Sequence, residues 1–287
     1  MEERGTRPQQ AGFTLIEAIV VIVVAGILAT IGVDFIVKPI EGYLALSRRA
    51  TLVDAADNAL QQMSREIRQA LPNSIRVSSD GSQLELLHTV DGGRYRARAS
   101  SAGDDILNFS SYYTSSPDTS FDVLGPLGSV PADGDQVVIY NLSASGTTGN
   151  DYASYLTPPS DADDRGVVKA GSTVSKIQLE ATPAPKFAGS SPDQRFFIVD
   201  GPVSYVCDPS GGTLTRYAGY TPNDPDFPTA VANLGTGAIV SRHVSACAFS
   251  YQPGAGQRSG LVTLQLTLSD QGESIHLLDE VHVVNAP

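Results

Sequence analysis

From Phe13 to Val33 the chain runs through 21 residues, of which only Thr14, Glu17 and Thr30 carry polar side chains. At about 1.5 Å rise per residue, a helix of that length spans about 31 Å, close to the hydrocarbon thickness of a bilayer. A polar stretch, "MEERGTRPQQA", precedes it. A secretory signal peptide has a shorter apolar core followed by a small-residue cleavage site. Here the chain continues into "DFIVKPIEGYLALSRRA" with no A-x-A-like site. The run is therefore expected to be retained, and an ordinary signal anchor satisfies the length as well.

Beyond the run the pattern stays helical but becomes one-sided. Val53, Ala56, Leu60, Met63, Ile67 and Leu71 recur at spacings of three and four, an apolar stripe on one helix face. Arg48, Arg49, Asp54, Asp57, Arg65 and Arg68 occupy mostly the other positions. The stripe predicts packing against the following domain, a coiled-coil partner being the alternative. Pro72-Asn73 ends the pattern, and Pro39 is expected to kink or break it. The prediction is one long N-terminal helix over residues 13–71.

The remainder reads as strands of period two. Candidates are 74–77, 83–89, 95–99, 136–142, 174–181, 195–207, 214–220, 245–252, 260–268 and 275–284. The clearest is "LVTLQLTL", where Val262, Leu264, Leu266 and Leu268 alternate with Leu261, Thr263, Gln265 and Thr267. Segments 100–135 and 143–172, rich in Gly, Ser, Asp and Pro, read as long loops, and "GTGAIV" (235–240) as a turn. There is no internal repeat. A long helix followed by antiparallel strands predicts an α+β fold with the helix packed on the sheet.

Glu17 is the anomaly in the apolar run. A carboxylate at a membrane helix centre costs about 2.5–3.5 kcal/mol, so it asks for a cationic partner. The nearest would be an amine freed by cutting the chain between Gly12 and Phe13. That amine lies about one helical turn away, in the same chain or in a neighbour. The order Gly-Phe-Thr-Leu-Ile-Glu ahead of the apolar run resembles the class III prepilin signal of type IV pilins and type II secretion pseudopilins. The resemblance implies cleavage after Gly12 by a prepilin peptidase and N-methylation of Phe13. It also implies pairing of Glu17 with the terminal amine of a neighbouring subunit. The leader departs from the usual basic pattern, because Glu2 and Glu3 offset Arg4 and Arg7.

The C-terminal half adds Phe196-Phe197-x-Val199, Val203-x-Tyr205-x-Cys207, Arg216-Tyr217-x-Gly219-Tyr220 and Glu280-Val281-x-Val283-x-Asn285-x-Pro287. That succession resembles minor pilins of the MSHA-pilus biogenesis (MshO) type, with PilW-type minor pilins and J-type pseudopilins as related forms. Together with the N-terminal signal the likeness covers about half of the chain, and residues 100–170 contribute almost nothing to it. It implies a leader over 1–12, a transmembrane and assembly helix over 13–36, a periplasmic half-helix over 37–72, and a β-rich periplasmic domain over 73–287. It further implies an inner-membrane, single-pass protein that joins a pilus or its tip. Expected partners are the prepilin peptidase, other minor pilins, the major pilin, the inner-membrane assembly platform and the membrane itself. A J-type pseudopilin of a secretion system is the alternative within this class, and a signal-anchored envelope binding protein or enzyme the alternative outside it.

Charge agrees with an exported domain. The chain has 19 Lys+Arg against 31 Asp+Glu, a net charge of −12, which argues against nucleic-acid binding. Its two cysteines, Cys207 and Cys247, read as one disulfide if the domain lies outside the cytoplasm, with two free buried thiols as the alternative. Catalytic signatures are missing: there is no G-x-S-x-G elbow, Walker loop or H-E-x-x-H. His276 and His282 share strand parity but stand about 20 Å apart on one strand, too far to share a metal. Asp161, Asp163 and Asp164 are weak candidates for Ca²⁺, without the spaced acids and closing Glu of an EF-hand loop; a solvated turn is the simpler reading. The expectation is a structural protein, not an enzyme, with no cofactor.

Overall fold

One helix, α1 (Leu15–Arg68), accounts for the N-terminal quarter of the chain. The computed structural model describes residues 12–109, 118–143, 152, 165–182, 185, 187, 189–224, 228–254 and 259–284. The leader residues 1–11 and the acidic positions Asp161, Asp163 and Asp164 lie outside them. By contacts the chain divides into two compact units, Met1–Thr51 and Leu52–Pro287. The helix is continuous through Pro39, so of the expected kink or break the break does not occur. Proline removes one backbone hydrogen bond, and the bonds of the neighbouring turns carry the helix across.

The second unit begins with the amphipathic end of α1. Leu52, Ala56, Ala59, Leu60, Met63 and Ile67 are buried, each at most 4% exposed. Val53 is exposed instead, so the stripe starts one residue earlier than its spacing predicts. Leu52 lies four residues before Ala56 and shares its face, as Val53 does by the i,i+3 rule; the position of the neighbouring strands selects between them. Leu71 is fully buried, but beyond the helix and in a separate small cluster with Leu87, Val138, Tyr152 and Val199. After Arg68 the chain leaves the helix by donating the Leu71 amide to the Leu87 carbonyl at 2.9 Å.

The strands are β1 (Arg76–Val77), β2 (Gln83–Arg94), β3 (Ser120–Asp122), β4 (Gln136–Val138), β5 (Arg165–Val167) and β6 (Lys176–Gln178). They continue with β7 (Arg195–Asp208), β8 (Thr213–Ala218), β9 (Ala238–Arg242), β10 (Val244–Gln252), β11 (Gly260–Asp270) and β12 (Glu273–Val283). The main sheet runs β1-β2-β7-β4-β5, with β8 also on β7 and β9 on β8. Strand β7 is its spine: β2 pairs along nearly its whole length, while the other edge takes β4 at Val199 and before and β8 from Val203 onward. Pro202 falls in the interval between those two partners, where a residue without an N–H costs the ladder least. Strands β10, β11 and β12 form a separate antiparallel meander, and β3 pairs with β6.

The apolar face of α1, Leu84 and Leu86 of β2, Val203 and Tyr205 of β7 and the inner face of the meander make the main core. On β11 the burial alternates as the sequence predicts: Val262, Leu264, Leu266 and Leu268 are fully buried. A second core, around Tyr95, Phe121, Val137, Phe196 and Ile198, lies under β3, β4 and β6. Three expectations fail here. Residues 95–99 are not a strand: Tyr95 makes a single bridge to Val123 and is buried, and Arg96 turns toward Asp104 and Asp122. Both predicted long loops contain short strands, β3 and β5. The predicted turn at 235–240 runs directly into β9, although Gly235 does take a left-handed φ of 75°.

Cys207 of β7 and Cys247 of β10 are joined as a disulfide, Cα–Cα 6.5 Å, tying the main sheet to the meander. The loop closed spans 40 residues, which by chain entropy is worth about 3–4 kcal/mol. Replacing both cysteines by serine is expected to lower the unfolding free energy of the full chain by about that amount. Urea titration in nonionic detergent measures it, and a loss below about 1 kcal/mol would show that the crosslink restricts the unfolded chain little.

Candidate functional site

The N-terminal segment is built around a helix start. Thr14 precedes the first helical residue; its carbonyl accepts from the Ala18 amide at 3.2 Å, and its Oγ1 accepts from the Glu17 amide at 3.4 Å. Thr-x-x-Glu is the sequence of a capping box, with Thr14 as N-cap and Glu17 at the third helical position. Glu17 therefore stands in the first turn rather than deep in the helix. The cost quoted for a carboxylate at a helix centre does not apply there, and the positive end of the helix dipole favours its charge.

The other polar groups of the run are satisfied locally: Thr30 Oγ1 donates to the Ile27 carbonyl at 2.8 Å. Among the described residues none pairs with the Glu17 carboxylate. Around it the surface is apolar and uncovered: Phe13 is 77% exposed and Ile16 67%, and no residue of the most apolar 18-residue window is buried. That window has a mean hydropathy of 2.7. Such a surface requires lipid or other apolar helices to cover it.

Gly12 is informative for the opposite reason. A Cβ built there would meet nothing within 4 Å, and its φ is not in the left-handed region. Among the described residues, neither packing nor backbone conformation asks for glycine at position 12.

Two polar arrangements in the second unit were not legible in the sequence. The first is buried. Glu85, fully buried, accepts from the Thr229 amide at 2.6 Å, Thr229 Oγ1 at 3.0 Å, the Tyr220 hydroxyl at 3.1 Å and Arg76 Nε at 3.3 Å. Arg76 stacks on Tyr152, 3.5 Å from the ring centroid, and donates to the Asp224 carbonyl. Burial, with the Glu85 charge beside it, holds the Tyr220 hydroxyl far above the ordinary tyrosine range, so it stays a neutral donor. The second is an open cleft of about 500 Å³ where α1 ends beside β2 and β7, walled by Arg68, Arg94 and Arg195. The signal available for either was slight: residues 68, 94 and 195 lie far apart in sequence, and a Glu in an apolar strand is the only mark of the buried network. No cluster of three or more His, Cys, Asp or Glu able to hold a metal occurs among the described residues.

Residues 7–33 match the prokaryotic N-terminal methylation motif. No curated protein matches the chain, and no solved structure does. The motif, the capped apolar helix and the antiparallel domain behind it define a pilin-like α+β layout. The match supports a type IV pilin- or pseudopilin-like protein: a membrane-anchored structural subunit, processed by a prepilin peptidase and handled by pilus-type assembly machinery.

Proposed function

We propose that this chain is a minor pilin of the MSHA (MshO) type that takes part in initiating or assembling a type IV pilus, within a complex at its tip. In this reading the leader is removed between Gly12 and Phe13, the new amine of Phe13 is methylated, and the globular domain lies in the periplasm. Residues 13–36 form the membrane and assembly helix, and 37–72 its periplasmic continuation. The observation that carries the reading is the uncovered apolar run over 13–33, whose one carboxylate, Glu17, has no partner among the described residues and stands at the helix start. A neighbouring subunit's terminal amine supplies the missing charge, and its apolar helix the missing cover.

Gly12 supports the cleavage step. Nothing among the described residues requires glycine there, and an enzyme that must approach the backbone closely would account for it. Mass spectrometry of the mature protein is expected to give methyl-Phe13 as its first residue. In a Gly12→Val variant the leader should stay attached, visible as the slower band on immunoblot. An intact Met1, a different cut, or wild-type processing of Gly12→Val would defeat the reading in favour of an ordinary signal anchor.

A further inference from the structure

We propose that the cleft at the end of α1 is a binding site for a small organic anion carrying more than one carboxylate. Arg94 and Arg195 are direct cross-strand partners at the open end of the β2–β7 ladder. Residues directly opposite in an antiparallel pair project from the same face, and like charges placed so repel. Arg68, the last residue of α1, brings a third guanidinium to the same cleft. The chain gathers these three in spite of a net charge of −12.

The described residues around them do not neutralise them. Among the described residues Arg68 and Arg94 have no ion-pair partner, and Arg195 has only Asp193, at 3.1 Å and half exposed. Asp91, the nearest carboxylate on β2, is committed elsewhere, accepting from the backbone amides of Gly92, Gly128 and Ser129.

Thr89, which lines the same cleft, carries an orphan polar atom. Thr89 Oγ1 is buried and has no hydrogen-bond partner, although the Thr89 amide is used, donating to the Gln69 carbonyl next to Arg68. A buried hydroxyl without a partner is uncommon and marks a place where a partner belongs. The ladder is irregular here, with register shifts on both sides of Thr89, and such bulges re-aim side chains beside functional sites. Gly92 faces Phe197 across the ladder; a Cβ at Gly92 would press on the Phe196 carbonyl at 3.1 Å and lie against the Phe197 ring at 3.5 Å. The missing side chain leaves the half-buried Phe197 as an apolar floor. Guanidinium forks match carboxylates in a bidentate way, an orphan hydroxyl adds a donor, and a ring floor favours a carbon skeleton over a bare inorganic ion. The proposal does not depend on the role assigned to the N-terminal helix.

The test is calorimetric titration of the full chain in nonionic detergent with citrate and, separately, inorganic phosphate, with chloride held at matched ionic strength. Citrate should bind saturably at one site and more tightly than phosphate. Arg94→Gln and Arg68→Gln should each weaken it by about tenfold or more, as loss of a charge-assisted hydrogen bond does. Without ligand, Arg94→Gln should unfold at the same temperature as the parent or higher, because it relieves the like-charge pair; a purely structural arginine would give the reverse. Failure of citrate to bind, phosphate binding as tightly as citrate, citrate binding undiminished in both variants, or a lowered midpoint for Arg94→Gln would each overturn the assignment.

Discussion

Glu17→Leu is expected to insert normally, to be cleaved between Gly12 and Phe13, and yet to be lost from the assembled complex. The substitution makes the apolar run more apolar, so insertion does not suffer. Within the chain it removes little: Glu17 is in the first turn of α1, and the Thr14 side chain caps the helix through the Glu17 amide, which leucine retains. What it removes is the charge that would meet a neighbour's terminal amine. Two charges brought together away from water attract strongly, while either left unpaired there costs several kcal/mol. Docking with the pair offsets the desolvation and fixes the axial register of the two helices. At about 1.4 kcal/mol per tenfold, loss of the pair should reduce incorporation by at least about tenfold. Glu17→Gln, keeping shape but not charge, should fall between. Co-purification with the other minor pilins from crosslinked membranes, normalised to each variant's membrane level, measures this. Wild-type association and piliation in Glu17→Leu would remove charge pairing from the account of assembly.

The second large effect is on stability. Glu85→Ala is expected to destabilise the globular unit by about 3–5 kcal/mol, the range seen when one partner of a buried ion pair is removed. The residue is fully buried and Arg76 is 6% exposed, so water cannot replace what is lost. Alanine would leave the Arg76 guanidinium without its counter-charge and strand the Thr229 amide and hydroxyl, while the Tyr220 hydroxyl would keep only Ser204 Oγ at 2.8 Å. Replacing both charges with apolar residues, Arg76→Met with Glu85→Leu, should cost clearly less than Glu85→Ala, because no charge is then left buried alone. Urea unfolding followed by tyrosine signal suits a chain with 11 tyrosines and no tryptophan. A loss under about 1 kcal/mol in Glu85→Ala would mean that solvent reaches Arg76 once the carboxylate is gone.

The residues whose role depends on neighbours in the chain were legible. The apolar length of 13–33, the one-sided stripe and the alternation of β11 are all properties of a window a few turns long. Each is set by the helical period or the strand period, which the backbone imposes locally. They suffice for a membrane-type helix ahead of an antiparallel domain. Gly12, Phe13 and Glu17 were marked instead by the resemblance of Gly-Phe-Thr-Leu-Ile-Glu to the prepilin signal, also a short contiguous stretch.

Tertiary structure decided what no window contains. The choice of Leu52 over Val53 depended on which way the sheets met the helix. The strands β3 and β5 are three residues each and exist because a distant partner supplies their hydrogen bonds, so their own composition reads as loop. Residues 95–99 find no strand partner along their length: Tyr95 makes one bridge, to Val123, and sets its ring in the second core. Glu85 sits in an apolar strand, where period alone gives a carboxylate no place; its donors come from residues 76, 220 and 229. The three arginines of the cleft meet only because α1 ends beside the β2–β7 ladder. Periodicity is a local property of the chain, whereas burial, charge pairing and the convergence of residues 68, 94 and 195 are created by contacts between segments far apart along it.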